Sequence, residues 1–360
     1  MPEMILGLDI GAESVKAVLT APRGRTDARI LAHSVLRFED TGDLEAVLKK
    51  TAEMIMSPAS SRPSCVVSLP PSDIMFRQIH LPFRDENRIK KTLPFELEPL
   101  LPVPVEEVVA DYMPLPHEGL LAAACSRERI RKIITLVETY LGEVAVIDIS
   151  AAALALPLLE QKTVGGAGLL LDVGAASTIA VFYEENAVVQ IRSFAFGGNT
   201  ITRALAEEAS CEIPEAEKIK IDAVYGAKAV KAGEACRAFC QDLVNTAEFL
   251  RLNETLHGAV EQITLTGGGA LFKPLADELE TAVGRPAEYF DFSRFGQSAG
   301  DEKARGDYSP LIMNTALAAV RRAQTSRKSF NFRQGEFAAK NILGDFRARW
   351  KWAAVVACII

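Results

Sequence analysis

Histidine and cysteine are scarce in this chain. It has four histidines and six cysteines in 360 residues, and Cys65, Cys125, Cys211, Cys236, Cys240 and Cys358 show no CxxC spacing. That excludes the common zinc clusters and a disulfide framework, and fits a reducing compartment. Cys236 and Cys240 stand one helical turn apart with no histidine pair nearby, so they read as small core side chains. No metal held by protein ligands alone is expected. A GxGxxG fingerprint is missing too, which leaves a Rossmann dinucleotide site without support. The opening MPEMILGLDIG lacks the basic-then-apolar layout of a secretory signal, so this end is expected to stay where it is made. A charged share of 24 %, an apolar share of 49 % and a net charge of -7 exclude a composition typical of disorder. A chain of this length can bury the cores of two or three lobes.

What the sequence does have is a repeat. DIGAESVKAV, Asp9 to Val18, recurs as DVGAASTIAV, Asp172 to Val181. The apolar run Met4 to Leu8 ends at Asp9 and resumes at Val15 to Thr20, which predicts a strand hairpin with its turn over Ile10 to Ser14. Ile30 to Phe38 reads as a third strand, Leu44 to Met56 as a helix and Cys65 to Pro70 as a buried strand, giving a first lobe over 1–70. Prolines at 82, 94, 99, 102, 104, 114 and 116 then cut the chain into short elements around a helix at Asp85 to Leu93. This predicts an inserted subdomain over 71–150, closing with the strand LLAAACS, a helix from Ser126 to Leu141 and the strand VAVID. The second lobe is expected over 151–323, with cap helices at about 200–257 and the sequence ITLTGGG leading into a helix. Beyond the polar stretch Gly296 to Tyr308, a last helix at 310–323 would complete the first lobe.

A strand ending in Asp, followed by Gly, a small residue and a hydroxyl, lets backbone N–H groups approach a phosphate. The carboxylate can meanwhile hold hydrated Mg²⁺. One such turn is common in any fold. Here Asp9 matches Asp172, Gly11 matches Gly174 and Ser14 matches Ser177, with Thr178 next in line. Two such lobes would bring both turns to one cleft and clamp the triphosphate of ATP, with Asp9 and Asp172 reaching Mg through water only when nucleotide is bound. Gly267, Gly268 and Gly269 offer a third wall of bare backbone at a helix start. In this order the three segments resemble the phosphate 1, phosphate 2 and adenosine motifs of the actin, Hsp70 and sugar kinase superfamily. The resemblance implies an α/β fold: actin-like (ribonuclease H-like) duplicated lobes with an inserted α+β subdomain.

Further segments narrow the likeness. FGGNTITRALAEEAS followed by AEKIK resembles FtsA and PilM, which implies that Glu217 and Lys220 approach ribose and adenine; the alternative is a solvated helix face of alternating charge. Lys16 would reach a phosphate or else decorate an exposed strand. Asp148, in VIDISAAALAL, stands where hydrolysing relatives carry Glu or Gln, but is shorter by one methylene. The expectation is slow or absent hydrolysis, or a residue that merely enters the helix near Ser150. The Pro-rich LPFELEPLLPVPVEEVVADY is similar to PilM and to the cytoplasmic part of GspL of type II secretion. FNFRQGEF, Phe330 to Phe337, resembles the segment before the membrane helix of GspL-like proteins and the PilN peptide that docks on PilM. It implies docking in cis through Asn331 and Phe332, with Arg333 departing from the apolar PilN pattern; a disordered linker is the alternative.

Between Arg321 and Lys351 nine Lys or Arg face two acids, net +7, so with a chain total of -7 the remainder carries -14. Trp350, Trp352 and the apolar run Ala353 to Ile360 follow. Basic residues and tryptophans before an apolar run fit the membrane interface, so 324–351 reads as a basic juxtamembrane linker and 352–360 as the start of a transmembrane helix. A span needs about 20 apolar residues, which leaves a tail lying on the membrane or on the body as the alternative. No nucleic acid is expected. The GspL-type resemblance implies a cytoplasmic portion at a bacterial inner membrane, with a GspE-like secretion ATPase, GspM-like and GspF-like membrane proteins, and a homodimer as partners. A type IV pilus assembly protein like PilM with PilN is the alternative, with an FtsA-like division protein and a superfamily kinase behind it; no kinase-type catalytic Asp stands out, and FtsA-like proteins would end in an amphipathic helix.

Overall fold

The computed structural model describes residues 4–23, 27–56, 62–116, 119–160, 166–222, 229–290, 297–298, 309–325 and 327–339. The chain opens with the antiparallel meander β1 (Ile5–Ile10), β2 (Ser14–Arg23) and β3 (Asp27–Arg37). The short α1 (Phe38–Thr41) leads to α2 (Leu44–Ile55), whose first turn is capped by the Asp43 carboxylate accepting from Ala46 N at 3.0 Å. β4 (Ser64–Leu69) then lies parallel to β1. Five of its six residues are buried, as expected of a strand covered on both faces.

The insertion follows as β5 (Ile74–Ile79), α3 (Glu86–Leu97), β6 (Val108–Pro114) and β7 (Leu120–Ser126), the strands pairing antiparallel in the order β5-β7-β6. α3 runs past Pro94, beyond the predicted stop at Leu93, because Leu93 and Leu97 both seat in the subdomain core. α4 (Arg127–Tyr140) and β8 (Glu143–Ile149) return to the first sheet, where β8 pairs parallel with β4. The sequence assigns 127–149 to the insertion; β8 instead belongs to the first lobe. Strand propensity identifies such an element but not its partner.

α5 (Ser150–Glu160) is buried on every side save its last residue, which its run of Ala and Leu permits. The second lobe repeats the first with β9 (Ala167–Val173), β10 (Thr178–Glu184) and β11 (Ala187–Phe194) as an antiparallel meander. α6 (Gly198–Ala209), α7 (Ile213–Ile221) and α8 (Val230–Leu252) follow. β12 (Val260–Thr266), α9 (Lys273–Val283) and β13 (Ala287–Tyr289) close the sheet, with β12 parallel to β9 and β13 parallel to β12. The short β14 (Gln297–Ser298) pairs with the outer edge of β3, and α10 (Pro310–Gln324) crosses the first sheet.

The strand orders make the duplication plain. The first sheet reads β14-β3-β2-β1-β4-β8 and the second β11-β10-β9-β12-β13, so five strands correspond in order and direction. α10 lies so close over β1 that a Cβ on Gly7 would stand 2.1 Å from the Ala316 carbonyl oxygen. Among the described residues no helix is long and apolar enough to cross a membrane. Trp350, Trp352 and the expected span at 352–360 lie outside the described residues, as does all of the linker beyond 339.

Candidate functional site

The repeat in sequence is a repeat in space. β1 and β2 pair Asp9 with Lys16, and β9 and β10 pair Asp172 with Ile179 at the same spacing. Each turn closes through the same bond: Gly11 N donates to Ser14 O at 2.9 Å, and Gly174 N donates to Ser177 O at 3.0 Å. A Cβ on either glycine would meet that same serine oxygen, at 3.1 and 3.0 Å. Small residues at Gly11 and Gly174 therefore keep both turns tight and their backbone approachable.

Both aspartates act on one lysine. Lys16 Nζ donates to Asp9 Oδ2 at 2.8 Å, and Thr315 Oγ1 of α10 donates to the same oxygen at 2.6 Å. Burial pulls the Lys16 ammonium down, but the Asp9 and Asp172 carboxylates more than restore it and hold it above its ordinary value. Burial likewise pushes the Asp172 carboxyl up to about 6, opposed by Lys16 and reinforced by Asp9. The early and the late carboxylate thus both act on the charge of Lys16.

Two further walls rest on the second turn. Gly267 adopts φ +87°, and a Cβ there would stand 2.4 Å from Val173 O and 2.6 Å from Asp172 Oδ1. A Cβ on Gly269 would stand 2.6 Å from Val173 Cγ1, whereas Gly268 meets only the Ile312 side chain at 3.7 Å. Gly267 and Gly269 are thus required by close packing, and Gly268 leaves room beside α10. On the other side, α6 hangs from the turn: Gly198 N donates to Gly174 O at 2.9 Å and Asn199 N donates to Ala175 O at 2.8 Å.

Glu217 and Lys220 are not a solvated helix face. Lys220 Nζ donates to Glu217 Oε2 at 2.7 Å, to Thr202 Oγ1 at 2.8 Å and to Gly198 O at 3.2 Å, beside the second turn. Burial pushes the Glu217 carboxyl up, but hydrogen bonds from Lys220 and Thr202 and the charges of Lys220 and Arg37 outweigh it and hold it below the usual range.

Two expected site residues are engaged elsewhere. Thr178 is fully buried and donates to Phe196 O at 2.8 Å, so its hydroxyl ties β10 to the chain before α6. Asp148 is also fully buried, accepting from Arg322 Nε at 2.8 Å and from Ile149 N at 2.6 Å. Its register partner Ser68 separates it from Asp9, one strand on either side, so it lies two strands or roughly 10 Å from the cleft carboxylate. Each oxygen takes one of these donors, and full burial keeps the carboxylate from open water. It does not enter the helix as a free cap; it anchors α10. Thr315 and Ser68 carry no local sequence signal. The Ser68 hydroxyl, between the two aspartates, is buried without a partner.

The tail segment 327–339 docks in cis. Asn331 Oδ1 accepts from Ile147 N at 3.2 Å, Asn331 N donates to Asp111 Oδ2 at 2.8 Å, and Phe332 N donates to Ile147 O at 2.8 Å. Gln334 Nε2 reaches Ala110 O at 2.7 Å. The segment therefore bridges the edge strand β8 of the first sheet and the edge strand β6 of the insertion, mostly through side-chain bonds. Phe330 and Phe332 are fully buried, and Phe330 meets Phe76 edge-on at 6.4 Å. Arg333 docks despite its charge, because its guanidinium donates to Val144 O at 2.9 Å, Phe337 O at 2.7 Å and Glu138 Oε1 at 2.8 Å. Glu336 pairs with Arg127, and Arg131 stands over the Phe337 ring.

Comparison with solved structures places this architecture. The PilM-PilN type IV pilus biogenesis complex matches over 90 % of this chain and 99 % of its own, with 20 % identity and a TM-score of 0.75. The cytoplasmic domain of EpsL, an inner membrane component of the type II secretion system of Vibrio cholerae, matches over 93 % and 100 %, with 11 % identity and a TM-score of 0.50. The ethanolamine utilization protein EutJ from Carboxydothermus hydrogenoformans matches over 89 % and 90 %, with 12 % identity and a TM-score of 0.50. At such identities these likenesses show the fold alone, and that fold is actin-like. None of the curated proteins matches the sequence. The family model of the type IV pilus assembly protein PilM matches residues 7–321, nearly the whole described body, and this chain therefore belongs to the PilM family.

Proposed function

We propose that the chain is the cytoplasmic scaffold of a GspL-type inner-membrane platform, coupling a GspE-like secretion ATPase to GspM-like and GspF-like membrane proteins. The observation that carries this reading is the cis-docked segment 327–339, anchored by Phe330, Asn331 and Phe332 between β6 and β8. A chain whose own tail occupies that groove is tied, through its C-terminal end, to whatever the tail leads into. The basic residues from Arg321 onward and the apolar run to Ile360 support a membrane as that destination.

In this reading ATP is a structural or switching ligand. The two turns at Gly11 and Gly174 would take the phosphates, Gly267 to Gly269 and the Glu217–Lys220 pair would line the nucleoside, and Lys16 would exchange Asp9 for a phosphate. Asp9 and Asp172 present the hard oxygen donors that hydrated Mg²⁺ prefers. Among the described residues no group of three or more His, Cys, Asp or Glu is placed to hold a metal ion, so the ion would arrive with the nucleotide. Magnesium would supply charge neutralisation on the phosphates. With Asp148 committed to Arg322, hydrolysis would be slow or absent.

A second reading, a type IV pilus assembly protein of the PilM kind, is favoured by the higher TM-score and identity to the PilM-PilN complex. Cross-linking the full chain in membranes and identifying the captured proteins tests both. Capture of a secretion ATPase with secretion-platform proteins supports the first, and pilus-system partners favour the second. Capture of no membrane or ATPase partner contradicts the scaffold role, and rapid steady-state phosphate release by pure protein contradicts the ligand role of ATP.

A further inference from the structure

The two phosphate-type turns, Gly11 to Ser14 and Gly174 to Ser177, differ at one position: Glu13 stands where the second has Ala176. Backbone geometry does not require the difference, since both turns close with the same glycine-to-serine bond. Glu13 is exposed at the cleft rim, and its Oε1 accepts from Asn199 Nδ2 at 2.7 Å. Asn199 in turn hangs by its backbone N–H from Ala175 O, the residue next to Ala176. The Glu13 side chain is thus a strut that runs from the first turn to the helix suspended on the second. The Glu13 carbonyl accepts from Phe38 N at 2.9 Å, which fixes the backbone from which the strut projects.

The charge balance gives this carboxylate a consequence. The cations beside the two turns are already paired, Lys16 with Asp9, Lys220 with Glu217, and Arg37, the register partner of Ser14, with Glu39. Asp172 acts on the same Lys16, and Glu13 adds a further negative charge where the related turn carries a methyl group. A bare polyphosphate entering between the turns meets the carboxylates of Asp9, Asp172, Glu217 and Glu13 against the cations of Lys16, Lys220 and Arg37, and like charges at contact range repel even where solvent reaches them. A divalent cation bound to the phosphates reverses the sign of that encounter.

We propose that Glu13 is a selectivity residue of this cleft: it bars a bare polyphosphate, admits one neutralised by a divalent cation, and releases Asn199 when the ligand enters. The proposal rests on the reading of the cleft as a nucleotide site. The test is calorimetric titration of the full chain with ATP plus magnesium and with ATP plus a chelator, for wild type, Glu13→Gln, Asn199→Ala and Asp9→Asn. Glu13→Gln is expected to raise the affinity for metal-free ATP about tenfold more than that for the magnesium complex, with an unchanged melting temperature. Asn199→Ala removes the strut and keeps the charge, so it is expected to raise both affinities by the same factor. A selectivity ratio unchanged in Glu13→Gln, or one that falls in Asn199→Ala, overturns the inference; if Asp9→Asn still abolishes binding, the nucleotide reading survives that loss. Absence of binding by every protein in both conditions overturns the reading and the inference together.

Discussion

Thr315 donates its hydroxyl to Asp9 at 2.6 Å, and on the same helix Arg322 holds Asp148 at 2.8 Å. α10 therefore straps the carboxylate of the cleft and the carboxylate beside the docked tail to one rigid rod. The two contacts are seven positions apart, about two helical turns or roughly 10 Å, which matches the spacing of the strands beneath them. From this framework the following outcomes are expected.

The docked segment is held by two fully buried rings. Phe332→Ala removes one of them, a loss of about 3–5 kcal/mol for a core ring. Its cost falls first on the segment, since the sheets beneath keep their own ladders. Hydrogen exchange is expected to rise at the amides of Asn331 and Phe332 before it rises in β8. Equal protection in the variant would show that the ring does not hold the segment.

Asp148 makes stability depend on pH in a direction opposite to most paired carboxylates. Burial pushes its pKa from 3.8 to about 6 in spite of Arg322 and the Ile149 N–H. The native chain therefore binds the proton more tightly than the unfolded one. The stability from this site is fully present below pH 4 and is lost as pH rises through about 6. The span is about 3 kcal/mol. Urea unfolding of wild type and Asp148→Asn from pH 4 to pH 7 should show the wild type losing ground to the variant as pH rises. Parallel curves would contradict the assignment.

The three adjacent glycines should respond differently. Gly269→Ala forces a Cβ against Val173 and should cost about 1–3 kcal/mol of stability. Gly268→Val meets only the Ile312 side chain and should leave the melting temperature nearly unchanged while weakening nucleotide binding. A stable Gly269→Ala protein would mean that the wall is not packed as described.

The Glu217–Lys220 pair can be separated from its helix. Lys220→Met leaves Glu217 with the Thr202 hydrogen bond and the more remote charge of Arg37, and removes the bond to Gly198 O. The Glu217 carboxyl should titrate higher in the variant by carbon-detected NMR, because its strongest cationic partner is gone. An unmoved titration would place the charge of Lys220 elsewhere in solution.

Much of this was legible where a local pattern carries the physics. The repeated Asp-to-hydroxyl turn needs only a strand, a glycine and a strand, and both copies lie at matching registers. The docking of Asn331 and Phe332 was readable through the resemblance of FNFRQGEF, and Arg333, the departure from it, docks because two backbone carbonyls and Glu138 satisfy it. The partners of Asp148 and Asp9 were not legible. Arg322 and Thr315 come from a helix far along the chain, and no local signal says which helix will cross which strand. β8 shows the same limit, since its residues announce a strand without announcing the edge it joins.

The claim on which the account rests is that two like lobes close on one nucleotide. A crystal structure of the chain with a non-hydrolysable ATP analogue and magnesium tests it most directly. The account predicts phosphates between Gly11–Ser14 and Gly174–Ser177, the nucleoside against Gly268, and Lys16 turned from Asp9 toward a phosphate. An analogue bound outside that gap, or a cleft empty at millimolar analogue in well-ordered crystals, would contradict it.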